Sequence, residues 1–213
     1  ASALTWEEDA PETRQLAERA IDRLEPLGEG ADLGFALYVL GRHHLERGDL
    51  DRAEPLLRRA TAIAGRVGDR PAQARAAISL GWTLHARRRG DETLRLFDEA
   101  LAIARSAGDL ALLLDALEAV LSAAVEVSGD YARAEALNRE AIDVAGRAGN
   151  LVKLARAQLN LGYLLREIGR LDEVEGPLLA AREAAEACGD ARDAAWTRAV
   201  EAIAASVRGN VDL

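Results

Sequence analysis

The chain has 213 residues, 49% of them hydrophobic, and 27 Lys plus Arg against 36 Asp plus Glu give a formal net charge of -9. That acidity excludes the basic stripe a nucleic-acid surface needs to displace phosphate counterions. The single Cys188 excludes an internal disulfide, and no apolar run reaches the roughly eighteen residues of a membrane span. Good helix formers (Ala, Leu, Arg and Glu) dominate, and aromatics make up only 4%. No signal-peptide pattern opens the chain, so the expected setting is reducing and cytoplasmic. Met is absent even at position 1, which reads as a processed chain or a fragment of a longer protein.

Apolar residues recur at helical spacing from one end to the other, as in Leu37, Leu40, His44 and Leu45. In chain order this predicts helices over 10–26, 32–47, 50–66, 71–87, 91–106, 110–128, 131–147, 151–167, 171–187 and 191–208. Thr5 and Glu8 fit a capping box that would start the first helix early. Pro71 suits a first-turn position, whereas Pro177 falls inside a predicted helix and should bend or shorten it.

Three registers of small residues divide these helices into pairs. Gly68-Asp69, Gly108-Asp109, Gly149-Asn150 and Gly189-Asp190 recur every 40 or 41 residues, with Gly28-Glu29 before them. Glycine suits the left-handed residue that ends a helix, and the Asp or Asn after it can cap the next one. A second register, Gly41, Gly81, Ser122, Gly162 and Ala202, lies within first helices, where small residues allow close approach. A third marks the turn inside each pair at Gly48, Gly129, Gly169 and Gly209, with the second pair shifting its glycine to Gly90. Each helix is too short to be stable alone, so stacking must supply the core.

The resulting pattern resembles the tetratricopeptide repeat, which places Leu-Gly in the first helix, Gly at the turn, and Ala, a large apolar residue and Ala in the second. The first unit reads Leu40-Gly41, Gly48, Ala53, Leu57 and Ala60; the second reads Leu80-Gly81, Phe97 and Ala100. The fourth reads Leu161-Gly162, Gly169, Leu178 and Ala181. The third departs, with Leu121-Ser122 and with Asn138 at the large apolar site, although Ala134 and Ala141 match. The longer period resembles the extended repeat of maltose-activator-type transcriptional regulators and kinesin-light-chain scaffolds.

The resemblance implies an all-α fold, an α-solenoid of stacked antiparallel helix pairs wound as a right-handed superhelix. It is expected to form a single array: an N-terminal half repeat (1–30), full repeats over 31–70, 71–110, 111–150 and 151–190, and a capping helix over 191–213.

No constellation for catalysis emerges. Gly28, Gly30 and Gly34 nearly match a dinucleotide fingerprint, but a helix precedes them where a strand is required. His43, His44 and His85 lack the spacing and the further ligands of a zinc site, and are read as surface or inter-helix residues. Acidic pairs such as Glu7-Glu8 and Asp98-Glu99 read as solvated helix faces. Cys188 reads as a small buried residue. The expectation is a non-enzyme without metal or cofactor.

In the family that the pattern resembles, first helices line a concave surface that binds the partner. Carried over by register, that surface takes Phe35, Tyr38 and Arg42 from the first unit and Arg75, Ile78, Trp82 and His85 from the second. The third supplies Ala116, Ala119, Ala123 and Glu126; the fourth Arg156, Leu159, Asn160, Tyr163 and Arg166; the last helix Trp196. Aromatics alternating with arginines suit a hot-spot surface, and their charge suits a protein or peptide ligand carrying carboxylates. The expected function is a protein- or peptide-binding scaffold or sensor, part of a larger bacterial signalling or transcriptional regulator. The alternatives are an inducer-sensing domain and a self-assembly module that associates through the solenoid ends. Neither nucleic acid nor membrane is an expected partner.

Overall fold

A computed structural model describes residues 11–188, which are helical apart from short turns. Nine α-helices follow one another: α1 (Pro11–Leu24), α2 (Ala31–Glu46), α3 (Leu50–Val67), α4 (Arg70–Ala86), α5 (Gly90–Ala107), α6 (Leu110–Glu126), α7 (Tyr131–Ala148), α8 (Leu151–Glu167) and α9 (Glu175–Cys188). No strand occurs among the described residues. These bounds fall within a few residues of the predicted helices except at both ends. The capping box at Thr5 and the helix over 191–208 lie outside the described residues, and the segment over 171–187 is divided.

That division follows from Pro177. A single 3-10 turn covers Leu171–Glu173, and α9 begins at Glu175, so Pro177 sits in a first turn where its missing N–H costs nothing. Pro55, by contrast, lies inside α3, which stays helical around it.

The caps are those the glycine and Asp/Asn pairs predict. Gly68 and Gly149 end α3 and α7 in the left-handed region, at φ 77° and 62°. The Asp69 carboxylate accepts from Ala72 N, Asp109 from Ala111 N and Leu112 N, and the Asn150 amide oxygen from Lys153 N. The first pair differs: Gly30, not Glu29, caps α2, with no side-chain hydrogen bond.

The chain divides into two compact units, Ala1–Ile103 and Ala104–Leu213. In the first, α1 packs on α2, α2 on α3 and α3 on α4, and the first helices α2 and α4 also touch. Its core holds Leu33, Leu37, Leu57, Ile63, Leu84 and Phe97. In the second, α6 packs on α7, α7 on α8 and α8 on α9, around residues that include Leu117, Leu165, Val174 and Leu178. This consecutive packing of short helices is the expected repeat architecture.

The first-helix glycines are where second helices come closest. A Cβ on Gly41 would stand 2.7 Å from Leu57 Cγ, one on Gly162 2.6 Å from Leu178 Cδ2, and one on Gly81 would overlap the edge of the Phe97 ring. Each glycine thus makes room for the large residue sixteen positions on.

The third repeat breaks this register, which corrects the small-residue series. Elsewhere the cap residue reaches five positions back, as in Asp49 N to His44 O, Arg89 N to Leu84 O and Arg170 N to Leu165 O. Asp130 N instead reaches six back, to Ala124 O, so the turn between α6 and α7 carries one extra residue. Counting from Asp109, Leu121 rather than Ser122 therefore occupies the glycine position. Ser122 faces outward, where its Oγ donates to Glu126 Oε1 at 2.9 Å, just as Arg42 pairs with Glu46. The large apolar position is held by Asn138, which is 1% exposed and whose Nδ2 finds no acceptor among the described groups.

The turn of the second repeat also differs from the expectation. Gly90 is not its left-handed residue but the first residue of α5; Arg88 takes φ 59° in its place.

Alternate second helices carry matching ion-pair clusters. In the first unit Glu54 binds Arg58 and Arg89, each at 2.8 Å, while Glu92 reaches Arg58 at 3.2 Å and Arg89 at 2.7 Å. In the second unit, 81 residues later, Glu135 binds Arg139 at 2.7 Å and Arg170 at 2.8 Å, and Glu173 binds Arg170.

Candidate functional site

The first helices of unit one present most of the expected residues on one set of helix faces. Phe35 on α2 is 64% exposed, while Tyr38 and Arg42 are half-buried. The ring centroids of Phe35 and Tyr38 lie 6.3 Å apart. The Arg42 guanidinium sits 5.9 Å from the Tyr38 centroid, donates to Tyr38 Oη at 3.4 Å, and donates to Glu46 Oε1 at 2.6 Å. On α4, Arg75 is exposed, Ile78 is buried, and Trp82 and His85 are half-buried. Trp82 rests edge-on against buried Phe97, centroids 5.1 Å apart, with His85 edge-on to it at 5.8 Å. Tyr38 and Trp82 therefore serve two purposes, part of each ring packing between helices and part facing solvent, while Phe35 lies largely in solvent.

A cleft opens between α2 and α4 over the end of α3. It encloses about 430 Å³ of empty space, open solvent at its mouth included. Gly34, Ala60, Ala64 and Ala76 make its floor small and apolar, and Phe35, Tyr38, Val67 and Arg75 form its sides. Asp69, the one carboxylate of the lining, is engaged as the cap of α4 at 3.0 Å from Ala72 N. Val67 is 43% exposed and was not among the expected residues.

In unit two the register shift corrects the third repeat. Ala116, Ala119 and Ala123 are fully buried, and the outward positions are Asp115, Glu118 and Ser122. Counting from Asp109 rather than from Ser122 would have found them. The face of α6 is thus acidic, and it meets the cations of α8. Lys153 Nζ donates to Asp115 Oδ1 at 2.9 Å and to Glu118 Oε2 at 2.7 Å, and Arg156 Nη1 donates to Glu118 Oε1. Burial alone would raise the Glu118 carboxyl, but Lys153 and Arg156 outweigh it and hold it below the ordinary carboxylate range. Burial likewise opposes the charge on Lys153, and Glu118 and Asp115 reverse that effect and raise it.

Further along α8, Leu159 is buried, whereas Asn160, Tyr163 and Arg166 are half-buried. Tyr163 packs on the Leu161, Leu165 and Leu178 cluster, with Arg166 5.4 Å over its ring. Trp196 lies outside the described residues.

The histidines divide. His44 is a buried inter-helix residue whose Nδ1 lies 3.2 Å from Asp49 Oδ2, while His43 and His85 are half-exposed. Burial lowers the His44 pKa below its ordinary value, against the opposing pull of Asp49. Cys188 is half-buried rather than buried, its Sγ donating to Ala184 O at 3.2 Å. No group of three metal-ligating side chains occurs among the described residues, and none of their helices is long and apolar enough to cross a membrane.

Short helices packed in sequence, glycine-capped, with a close glycine contact in each regular pair, define a helical-repeat protein. Two family models described as tetratricopeptide repeat match the chain, one over residues 1–66 and the other over 73–107. Over those two segments the chain is similar to the tetratricopeptide repeat. No curated protein sequence matches it significantly.

Solved structures share the fold at low identity. BtubC (BKLC) from P. vanneervenii superposes with a TM-score of 0.65 at 18% identity, covering 94% of each chain. The apo form of RapI gives 0.71 at 16% identity, covering 93% of this chain but only 58% of RapI. A Podosopora anserina kinesin light chain with nearly identical tetratricopeptide-like repeats gives 0.65 at 16% identity, covering 81% of this chain and 85% of that one.

Proposed function

We propose that the chain is a non-catalytic scaffold that binds a protein or peptide partner on its first-helix face. The chain is read as four full repeats flanked by half repeats, acting in the cytoplasm within a larger bacterial signalling or transcriptional regulator. The observation that carries the reading is the arrangement on α2 and α4. Phe35 lies largely in solvent, and Tyr38, Arg42, Arg75, Trp82 and His85 share its side of the first helices. Large aromatic and arginine side chains, half-fixed by packing, combine contact area with little ordering cost on binding.

Site-specific photo-cross-linking tests this reading. A photoreactive residue at Phe35 should trap the same partner from the native extract that affinity capture recovers, and one at Arg59 on α3 should not. Replacing Trp82 by Ala should reduce capture at least tenfold while the helical circular dichroism stays intact. Equal trapping from both positions, or capture unaffected by Trp82→Ala and Tyr163→Ala together, would place the partner elsewhere.

A further inference from the structure

The two units fill one position of the repeat in opposite ways, and the contrast bears on what the cleft of unit one accepts. Counted from the caps Asp69 and Asn150, Ala72 on α4 corresponds to Lys153 on α8. Counted back from Gly41 and Leu121, Phe35 and Tyr38 correspond to Asp115 and Glu118, each pair being one exposed and one half-buried residue. In unit two the position is closed from within, because the Lys153 stem runs from α8 towards α6 and its ammonium lies on Asp115 and Glu118. Of the 27 basic residues all but Lys153 are arginine, and the one lysine stands where a slim aliphatic stem, without a planar head, lies between two helices. In unit one that lysine is an alanine, and the same place is the open cleft over Gly34, Ala60 and Ala76.

We infer that this cleft receives a lysine side chain of the partner, with the aliphatic stem against the apolar floor and the ammonium on the Asp69 carboxylate. The inference rests on the proposed first-helix binding face and names the residue type seated there. Shape supplies the first argument. The floor is glycine and alanine, and Phe35 and Val67, left 64% and 43% exposed, are apolar walls that a lysine stem would cover. Charge supplies the second. Asp69 lines the cleft, its Oδ1 accepts from Ala72 N in the cap of α4, and it forms no ion pair among the described residues. The Phe35 ring, at the place that Asp115 takes in unit two, adds a face on which an ammonium is favoured. The arginines of the first helices do not call for a carboxylate ligand here, because Arg42 is held by Glu46 and Tyr38, Arg156 by Glu118, and Arg75 is engaged within the chain. The net charge of -9 favours a cationic partner as well.

The test uses the full 15N-labelled chain titrated with three blocked pentapeptides, acetyl-Ala-Ala-X-Ala-Ala-amide, in which X is lysine, norleucine or glutamate. The lysine peptide should shift amide resonances around Phe35, Val67 and Ala72, in the millimolar range expected of a fragment. The norleucine peptide, which keeps the stem and loses the charge, should bind about tenfold more weakly, and the glutamate peptide should not bind. Asp69→Asn keeps the cap in the form that Asn150 uses on α8 and should bring the lysine peptide down to the norleucine level. Ala72→Lys, which installs the stem found in unit two, should block all binding and raise the melting temperature by filling the cleft from within. Unchanged shifts away from α2, α3 and α4 verify that the variants fold.

Shifts centred on Asp115 and Glu118, equal affinity for the lysine and norleucine peptides, preference for the glutamate peptide, or no binding would overturn the proposal. Free L-lysine binding more tightly than the lysine peptide would also overturn it, by assigning the cleft to a small molecule. If the peptides fail while partner cross-linking still depends on Phe35 and Trp82, the subsite falls and the face stands. If both fail, the face falls with it.

Discussion

Arg88 adopts φ 59° at a turn where the other repeats carry glycine, a conformation in which a Cβ is strained. Arg88→Gly should stabilise the protein by about 1 kcal/mol, read as a higher urea midpoint at unchanged slope; an unchanged or lower midpoint would show that the arginine is not strained. Sequence alone pointed to Gly90, because it sees which residues are small and not which one carries the left-handed turn. His44 was legible only as an inter-helix or surface residue, since its burial depends on helices that pack around it. Its pKa is lowered in the fold, so the unfolded chain takes up the proton first as the pH falls through 6.5. The melting temperature should drop between about pH 7 and pH 5, and His44→Gln should flatten that part of the profile. An equal drop in the variant would assign it to other groups.

At the scale of the helix, bounds and caps were readable because periodicity, glycine and Asp or Asn agree at each end. The phase of α6 was not. A residue inserted in a turn leaves both flanking helices normal, and the shift shows only in hydrogen bonds, such as Asp130 N to Ala124 O, and in burial. It turned the expected surface alanines Ala116, Ala119 and Ala123 inward by about 100°, and Asp115 and Glu118 took their place, while Glu126 stays exposed. The same shift places a leucine where the other repeats have glycine, and in α7 an asparagine stands where they have Leu or Phe. Asn138→Leu alone should overpack against Leu121 and cost about 1–3 kcal/mol. The double change Leu121→Gly with Asn138→Leu should recover that loss and exceed the parent, because it also removes a buried donor without an acceptor. A thermodynamic cycle measures the coupling, and additive single effects would show that the two sites are independent.

For the molecule as a whole, the family and its helix pairs follow from a period that needs no three-dimensional information. The distribution of charge on the first-helix faces does not, because it depends on which arginines meet carboxylates of the same chain. Stability should be shared among neighbouring helices rather than held by one core. Phe97→Ala, at a fully buried site filled against Gly81, should cost about 3–5 kcal/mol. Hydrogen exchange should rise first in α4 and α5, and a uniform rise over residues 11–188 would show a single cooperative core instead.

The ion-pair clusters on alternate second helices set a rule for changing the length of such an array. Excising residues 71–110 would, by the turn register, set Asp130 where Arg89 now meets Glu54 and Arg133 where Glu92 now meets Arg58, turning both attractions into repulsions. Excising residues 71–151 would instead bring Arg170 to Glu54 and Glu173 to Arg58, restoring both attractions. Single repeats are therefore poor modules for recombination in this chain, and the part that can be duplicated, deleted or exchanged with its electrostatics intact is the pair.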